Sequence, residues 1–249
     1  MPDDPDKPES PIWRTLHDEK LLRDQYDELA ALAGSLAHEI KNPLSVIRMN
    51  MELLNEDFQQ ADSPQVRRAR ERIETINRQC VRLENLLDDF LRFARQQNLE
   101  LRPGNLNDQI HQVLDLFSPQ ADRQGVEVLR YLASDLPLIR LDSQSLQAAL
   151  VNLVKNALEA MPNGGQLLVR TRITRQGVAV DLIDTGCGMS SKTILNMFKT
   201  FYTNKPGGSG LGLPMAKKII EAHGGRINVN SEVGRGTQFT LEFPTPRRL

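Results

Sequence analysis

From about Leu21 to Phe58 the apolar residues Leu29, Leu36, Ile40, Ile47, Met51, Leu54 and Phe58 recur mostly at three- and four-residue steps or their sum, which predicts a helix. A polar break with proline, "QQADSPQ", follows. The next run is stricter: Val66, Ala69, Ile73, Ile76, Cys80, Leu83, Leu87, Phe90 and Ala94 alternate steps of three and four without a fault. That 3.5-residue repeat is a coiled-coil seam, and two such helices joined by a short turn predict an antiparallel hairpin. One hairpin has too little surface to bury a full stripe on each helix. Pairing two hairpins in a four-helix bundle removes the problem, so residues 21–98 are expected to form a homodimer.

Around "NLELRPGN" the period changes. Residues 106–124 read as a helix, and "VEVLRYL" (126–132) and "LPLIRLD" (136–142) as short strands. "SQSLQAALVNLVKNALEAM" (143–161) is strongly amphipathic and is expected to open on a Ser cap. "GQLLVRTRIT" and "VAVDLID" read as strands, followed by a long loop with Gly, Ser and Lys. "GLPMAKKIIEAHGG" predicts a helix ending at glycine, and "RINVNS" and "TQFTLEF" the closing strands. The expectation is α plus α/β: a helical hairpin, then an α/β sandwich over 104–245.

Bulk composition narrows the class. The 249 residues carry 39% hydrophobic and 25% charged residues with a net charge of −1, which fits a soluble protein and gives no global argument for nucleic acid or an anionic membrane. No stretch approaches the roughly 18 apolar residues of a membrane span, so no membrane-crossing sensor is expected. Cys80 on a helical stripe and Cys187 in a glycine-rich turn are unlike in context, so reduced thiols in a cytoplasmic protein are expected. The opening "MPDDPDKPESP" places a disordered tail over 1–20, and "PRRL" reads as a C-terminal tail.

Candidate chemistry gathers in the second half. Glycine stretches "DTGCGM" (184–189), "GGSGLGL" (207–213) and "GRGT" (234–237) each fall at an element boundary. Glycine-rich backbone that opens a helix offers N–H groups and a positive dipole end to phosphate, which describes "GGSGLGL". Asp184 ends an apolar strand with no obvious local partner. It either caps a turn or accepts from an exocyclic amine, with Gly186 and Gly188 letting a ring lie close. Asn152 and Asn156, four apart, share one helical face beside Leu153, Val154 and Ala157. Asparagine costs helix propensity, so the pair either faces solvent or borders the core, where amide oxygens suit Mg²⁺ bridging to phosphates.

The order "NLVKNALEA", "DTGCGM", "FKTFYTNKPGGSGLGL", "GRGTQF" resembles the ATP-binding domain of histidine kinases, of the superfamily shared with gyrase, mismatch-repair ATPases and heat-shock chaperones. "LAHEIKNPL" resembles the phosphoacceptor motif on the dimerisation hairpin of the same kinases. The resemblance covers roughly 25–245. It implies ATP and Mg²⁺ as ligands, with Asn152 and Asn156 at the metal and phosphates and Asp184, Gly186 and Gly188 at adenine, supported by Thr237. It implies that Phe198, Phe201 and Lys205 belong to a mobile lid, and Gly208, Gly210, Leu211 and Gly212 to a phosphate loop. One departure is Glu159, where many relatives carry a basic residue; Lys205 is the candidate to supply that charge instead.

"SLAHEIKNPLSVI" (35–47) then acquires a purpose. A neutral imidazole nitrogen of His38 can attack the γ-phosphoryl of ATP if the other nitrogen's proton is held by a base, and Glu39 is adjacent. Pro43 cannot donate to the Glu39 carbonyl and its ring crowds it, so a hinge is expected there. Asn42 lies one turn after His38, and by resemblance orients water for dephosphorylating a partner, a response-regulator receiver domain with an aspartate acceptor. Two rival readings are an ATP-driven conformational clamp and an ATP-binding pseudokinase scaffold. The clamp needs a carboxylate base where Asn152 stands; the scaffold is disfavoured by the intact His38, Glu39 and glycine stretches.

Overall fold

The computed structural model describes residues 40–56, 58, 63–94, 99–205 and 208–245. The expected tail, the start of the first helix with His38 and Glu39, and the terminal "PRRL" lie outside these residues. The chain divides into two compact units, Met1–Gln97 and Asn98–Leu249.

In the first unit, helix α1 runs over 40–56 and α2 over Pro64–Ala94. α1 stays helical through Pro43; the carbonyl that the proline deprives belongs to Glu39, outside the described residues. The seam of α2 separates into two heptad rows. Ile73 and Cys80 are buried and Val66 and Leu87 half-buried, whereas Ile76 and Leu83 in the other row are 40% and 49% exposed. On α1, Leu44 is buried while Ile40, Ile47 and Leu54, seven apart, stay exposed. Ala69 and Phe90, also in the Ile76–Leu83 row of α2, are half-buried, so a lone hairpin leaves the middle of that row uncovered. Lys41 Nζ meets Asp88 Oδ1 at 2.5 Å, and an Arg70 N–H donates to the Phe58 carbonyl, tying α1 and its turn to α2.

The second unit is a two-layer α/β sandwich. Its elements are β1 (Arg102–Gly104), α3 (Leu106–Gln124), β2 (Val126–Tyr131), β3 (Ile139–Leu141), α4 (Ser143–Glu159), β4 (Gly165–Ile173), β5 (Gly177–Asp184), α5 (Ser191–Asn196), α6 (Gly212–Ala222), β6 (Arg226–Glu232) and β7 (Gly236–Pro244). Five strands pair in the order β2-β4-β5-β7-β6, with β2 parallel to β4 and the other pairs antiparallel; β1 and β3 form a small separate ladder. α4 makes the crossover that a parallel β2–β4 pair requires.

One sheet face, with Leu167, Val169, Val178, Val180, Leu182, Phe239 and Leu241, packs on Ile110, Leu150, Val154, Ala216 and Ile220 of α3, α4 and α6. The opposite parity of β5 carries Asp181, fully buried although it lies on the face away from the helices. Arg170, Arg172 and Thr240 donate to its carboxylate. Burial alone would raise this carboxyl, but the Thr240 hydroxyl and the two guanidinium groups outweigh it and hold Asp181 below the usual range.

The helix starts correct one expectation. Ser143 is the first residue of α4, and its cap is Asp142, whose Oδ1 accepts from the Ser145 N–H at 2.9 Å. The Asp142 N–H in turn donates to Nε2 of buried His223 at 3.0 Å, and the His223 ring donates from Nδ1 to the Ile219 carbonyl at 2.7 Å. The C-terminal end of α6 is thereby fastened to the N-terminal end of α4. Two short elements carry no readable period and lie outside the sequence-based assignment: β1, three residues long, and α5, six residues inside the long loop.

Candidate functional site

Strand parity explains the position of Asp184. It follows Val178, Val180 and Leu182 on the helix-facing side of β5, and Thr237, its cross-strand neighbour, shares parity with Phe239 and Leu241. The carboxylate is only 5% exposed. It is not partnerless, as the sequence suggests: Oδ1 accepts from the Gly186 N–H at 2.9 Å and the Thr237 N–H at 3.2 Å. The turn-capping and acceptor readings are therefore compatible, since both backbone donors fall on one oxygen. Burial pushes the Asp184 carboxyl above the ordinary range, and the two N–H groups and the Lys205 charge offset it only in part.

The glycines around Asp184 are explained by protein backbone. A Cβ on Gly186 would stand 2.7 Å from the Ala160 carbonyl oxygen, and the Cys187 N–H donates to that same oxygen at 3.1 Å. Gly188 has φ +64°, and a side chain there would strike the Glu232 carbonyl. The turn is thus clamped between the end of α4 and the β6–β7 connection. Ser231 was missed by sequence reasoning. Its hydroxyl accepts from the Met189 N–H, donates to the Gly236 carbonyl and lies 2.9 Å from Thr237 Oγ1, joining the turn to Thr237; a lone strand serine gives no signal for this.

α4 is the axis of the site. Asn152 and Asn156 are half-buried one turn apart, beside buried Leu153, Val154 and Ala157, which is the core-bordering alternative. A Cβ on Gly212 would stand 3.1 Å from Asn152 Oδ1, so the first residue of α6 rests on this asparagine. The cap position Leu211 lends no side-chain hydrogen bond, leaving the first-turn N–H groups of α6 without that partner. Pro214, in the same turn, has no N–H to satisfy.

The segment expected to form a lid does not behave as one piece. Phe198 packs against the core, with Lys217 Nζ 5.2 Å from its ring centroid. Phe201 is 62% exposed with φ +64°, its N–H donating to the Gly210 carbonyl. Lys205 reaches back to α4, where Nζ donates to Asn156 Oδ1 at 2.6 Å and to Glu159 Oε2 at 2.5 Å. A local turn aims it: the Lys205 N–H donates to Thr203 Oγ1 and the Gly208 N–H to the Lys205 carbonyl.

Asp184, Gly186, Thr237 and the end of α4 are therefore assembled on one side, and Asn152, Asn156, Lys205 and the start of α6 along the rest of α4. In the other unit Asn42 lies exposed on α1, one turn before exposed Val46 and two before Met49 and Asn50. Among the described residues no helix is long and apolar enough to cross a membrane, and no cluster of three or more His, Cys, Asp or Glu could hold a metal. Cys80 and Cys187 are both free.

Two family models match the chain. The His Kinase A (phospho-acceptor) domain covers residues 28–99, and the histidine kinase-, DNA gyrase B- and HSP90-like ATPase covers 141–247. The sensor histidine kinase ZraS of Escherichia coli (strain K12) is 32% identical over 230 residues, which is 92% of this chain and 48% of that protein. The chain thus spans about half the length of that relative. Among solved structures, full-length ShkA in complex with AMPPNP aligns with a TM-score of 0.67 at 28% identity, covering 86% of this chain and 46% of that one. Histidine kinase ThkA in complex with the response regulator TrrA aligns with a TM-score of 0.66 at 25% identity, covering 94% and 67%.

Proposed function

This chain belongs to the two-component sensor histidine kinase family, and on that premise we propose that it transfers the γ-phosphoryl group of ATP to His38 and then to an aspartate of a response-regulator receiver domain. The observation that carries the nucleotide half is Asp184. Its Oδ1 is taken by two backbone N–H groups, leaving Oδ2 to accept from the exocyclic amine of adenine in a turn that Gly186, Gly188 and Thr237 hold still. The phosphates run along α4 toward the start of α6, whose N–H groups and dipole favour anions. Leu211 and Gly212, with Gly208 and Gly210 before them, shape that end.

Mg²⁺ fits the amide oxygens of Asn156 and Asn152: the Lys205 ammonium already lies on Asn156 Oδ1, so that oxygen is turned toward a cation. When bound, the metal neutralises phosphate charge. Phosphoryl transfer has a largely dissociative transition state, so positioning and charge do most of the work. On the hairpin, one nitrogen of His38 takes the phosphoryl group as the bond to the ADP oxygen breaks, while Glu39 holds the proton on the other nitrogen. Asn42 then aims water at the partner's acyl phosphate.

The domains are proposed as 21–98 for dimerisation and phosphoacceptance, after a tail over 1–20, and 104–245 for catalysis. The exposed heptad row of Ile40, Ile47, Leu54, Ile76 and Leu83 supports a homodimer through the hairpin. The similar kinases ShkA, in complex with AMPPNP, and ThkA, in complex with a response regulator, support the ATP and receiver assignments. An amide at Asn152 lies where a water-activating carboxylate is needed in a clamp, which favours the kinase. The test is a label from γ-labelled ATP that survives base but not acid. His38→Ala is expected to bind ATP like wild type and take none of it; acid-labile label at another residue would overturn the assignment.

A further inference from the structure

Glu159, paired with Lys205, has no part in the proposed chemistry. Glu159 stands on α4 one turn after Asn156, where a basic residue would face the phosphates directly, and Lys205 brings the positive charge from the segment before α6. One ammonium bridges the two side chains, at 2.6 Å from Asn156 Oδ1 and 2.5 Å from Glu159 Oε2. Lys155, a turn earlier on α4, reaches Glu159 only at 3.9 Å. Lys205 and Glu159 are both partly exposed, so the bridge is open to exchange with solvent and ligand.

An amide oxygen has two lone pairs, so sterics alone do not prevent Lys205 and a metal from sharing it. Charge does. A divalent ion bound at about 2.1 Å would lie at most about 5 Å from the ammonium, and like charges at that distance repel even under surface screening. We propose that Lys205, held in place by Glu159, competes with the divalent cation for Asn156 Oδ1, so that the metal enters only together with a nucleotide whose phosphates take the ammonium over. This rests on Asn156 being the metal ligand of the proposed function. Glu159 acts here as a positioning residue: its carboxylate keeps Lys205 on the amide, and with Lys205 neutralised it becomes a metal ligand itself, beside Asn156.

The experiment is a Mn²⁺ titration of the full chain without nucleotide, with free Mn²⁺ read by its electron paramagnetic resonance signal. Wild type is expected to bind weakly. Lys205→Met should bind about tenfold more tightly, Lys205→Arg should stay weak because the charge is kept, and Lys205→Met with Glu159→Gln should lose the gain. A Lys205→Met affinity equal to wild type, a gain that persists in the double variant, or an equal gain in Lys205→Arg would overturn the proposal. Circular dichroism confirms that each variant is folded; Lys205→Ala replaces Lys205→Met, alone and in the double variant, if Met disturbs the fold. Calorimetry of Mg²⁺-ATP on wild type separates the two levels. No binding there fails the nucleotide assignment, whereas normal binding with unchanged Mn²⁺ affinities fails only the competition.

Discussion

The two units stabilise themselves in opposite ways. The α/β unit closes its own core: Leu146, Leu153 and Leu158 of α4, Leu167 of β4 and Leu241 of β7 are all essentially inaccessible to solvent. The hairpin buries Leu44, Ile73 and Cys80 but leaves Ile40, Ile47, Leu54, Ile76 and Leu83 exposed. A self-sufficient core can hold Asp184 in place, because its hydrogen-bond partners Gly186 and Thr237 lie in the same unit. In the proposed dimer the partly covered hairpin takes stability from a second copy, so that stability would depend on protomer concentration. On this comparison a closed core belongs to the unit matched by the ATPase model, and the proposed assembly to the unit matched by the phospho-acceptor model.

The sharpest way to break the comparison is to damage the closed core. Leu153→Ala removes a buried side chain from the middle of α4, between Asn152 and Asn156, and should destabilise the α/β unit by about 2–5 kcal/mol. Nucleotide binding should be lost well below the wild-type melting temperature, while the hairpin's far-ultraviolet signal melts unchanged. A single transition that moves as a whole would show that the units are not independent. The converse is Leu83→Glu, which places a charge in the exposed row. It should raise the dimer dissociation constant by on the order of tenfold or more, ~1.4 kcal/mol per factor of ten. Sedimentation measures it, and ATP affinity should not change.

A third measurement turns on the two buried carboxylates of the α/β unit, whose shifts have opposite sign. Asp184 is raised above its ordinary value of 3.8 by burial, and the proposed adenine recognition needs it ionised. ATP affinity should therefore fall as pH drops through a midpoint above 3.8, and Asp184→Asn, weaker at neutral pH, should lose that dependence. Asp181 is held below 3.8, so its contribution to stability is complete above the unfolded value and is lost as pH falls through the lower folded one. Calorimetry across this range separates the two: binding should fail first, unfolding later.

How much of this was legible in the chain follows from the range of each interaction. The strands β4, β5 and β7 and the helices α3 and α6 were legible because each repeats an apolar pattern over many residues. Asp184 was legible as a candidate site residue because one acidic residue breaks such a pattern at a glycine turn. The α4 cap went to Ser143 instead of Asp142 because both residue types cap well and sequence alone does not choose between neighbours. Ser231 and the Lys205–Glu159 contact were out of reach. They join residues 42 and 46 positions apart in sequence, which no local period encodes. On the hairpin the heptad was plain, but which of its two rows faces the chain's own first helix is decided only by packing.

The smallest expected effect compares one ion pair from each unit. Lys41–Asp88 joins the hairpin helices at 2.5 Å with both side chains over a third exposed, whereas Asp181 is fully buried beneath Arg170 and Arg172. Water screens the first pair and restores solvation to either partner when the other is removed, so Lys41→Met should cost no more than about 1 kcal/mol. Asp181→Asn leaves a neutral amide on the Thr240 hydroxyl and frees two arginines that already reach solvent, so it should cost roughly 1–3 kcal/mol. Thermal melts of both variants at fixed protein concentration decide the ranking. Fixed concentration matters because the proposed dimer would make the hairpin's transition, but not that of the α/β unit, move with protein concentration. If Lys41→Met proves the costlier, the hairpin helices depend on polar registration more than on their buried row, and the contrast between a closed core and a shared one fails at its weakest point.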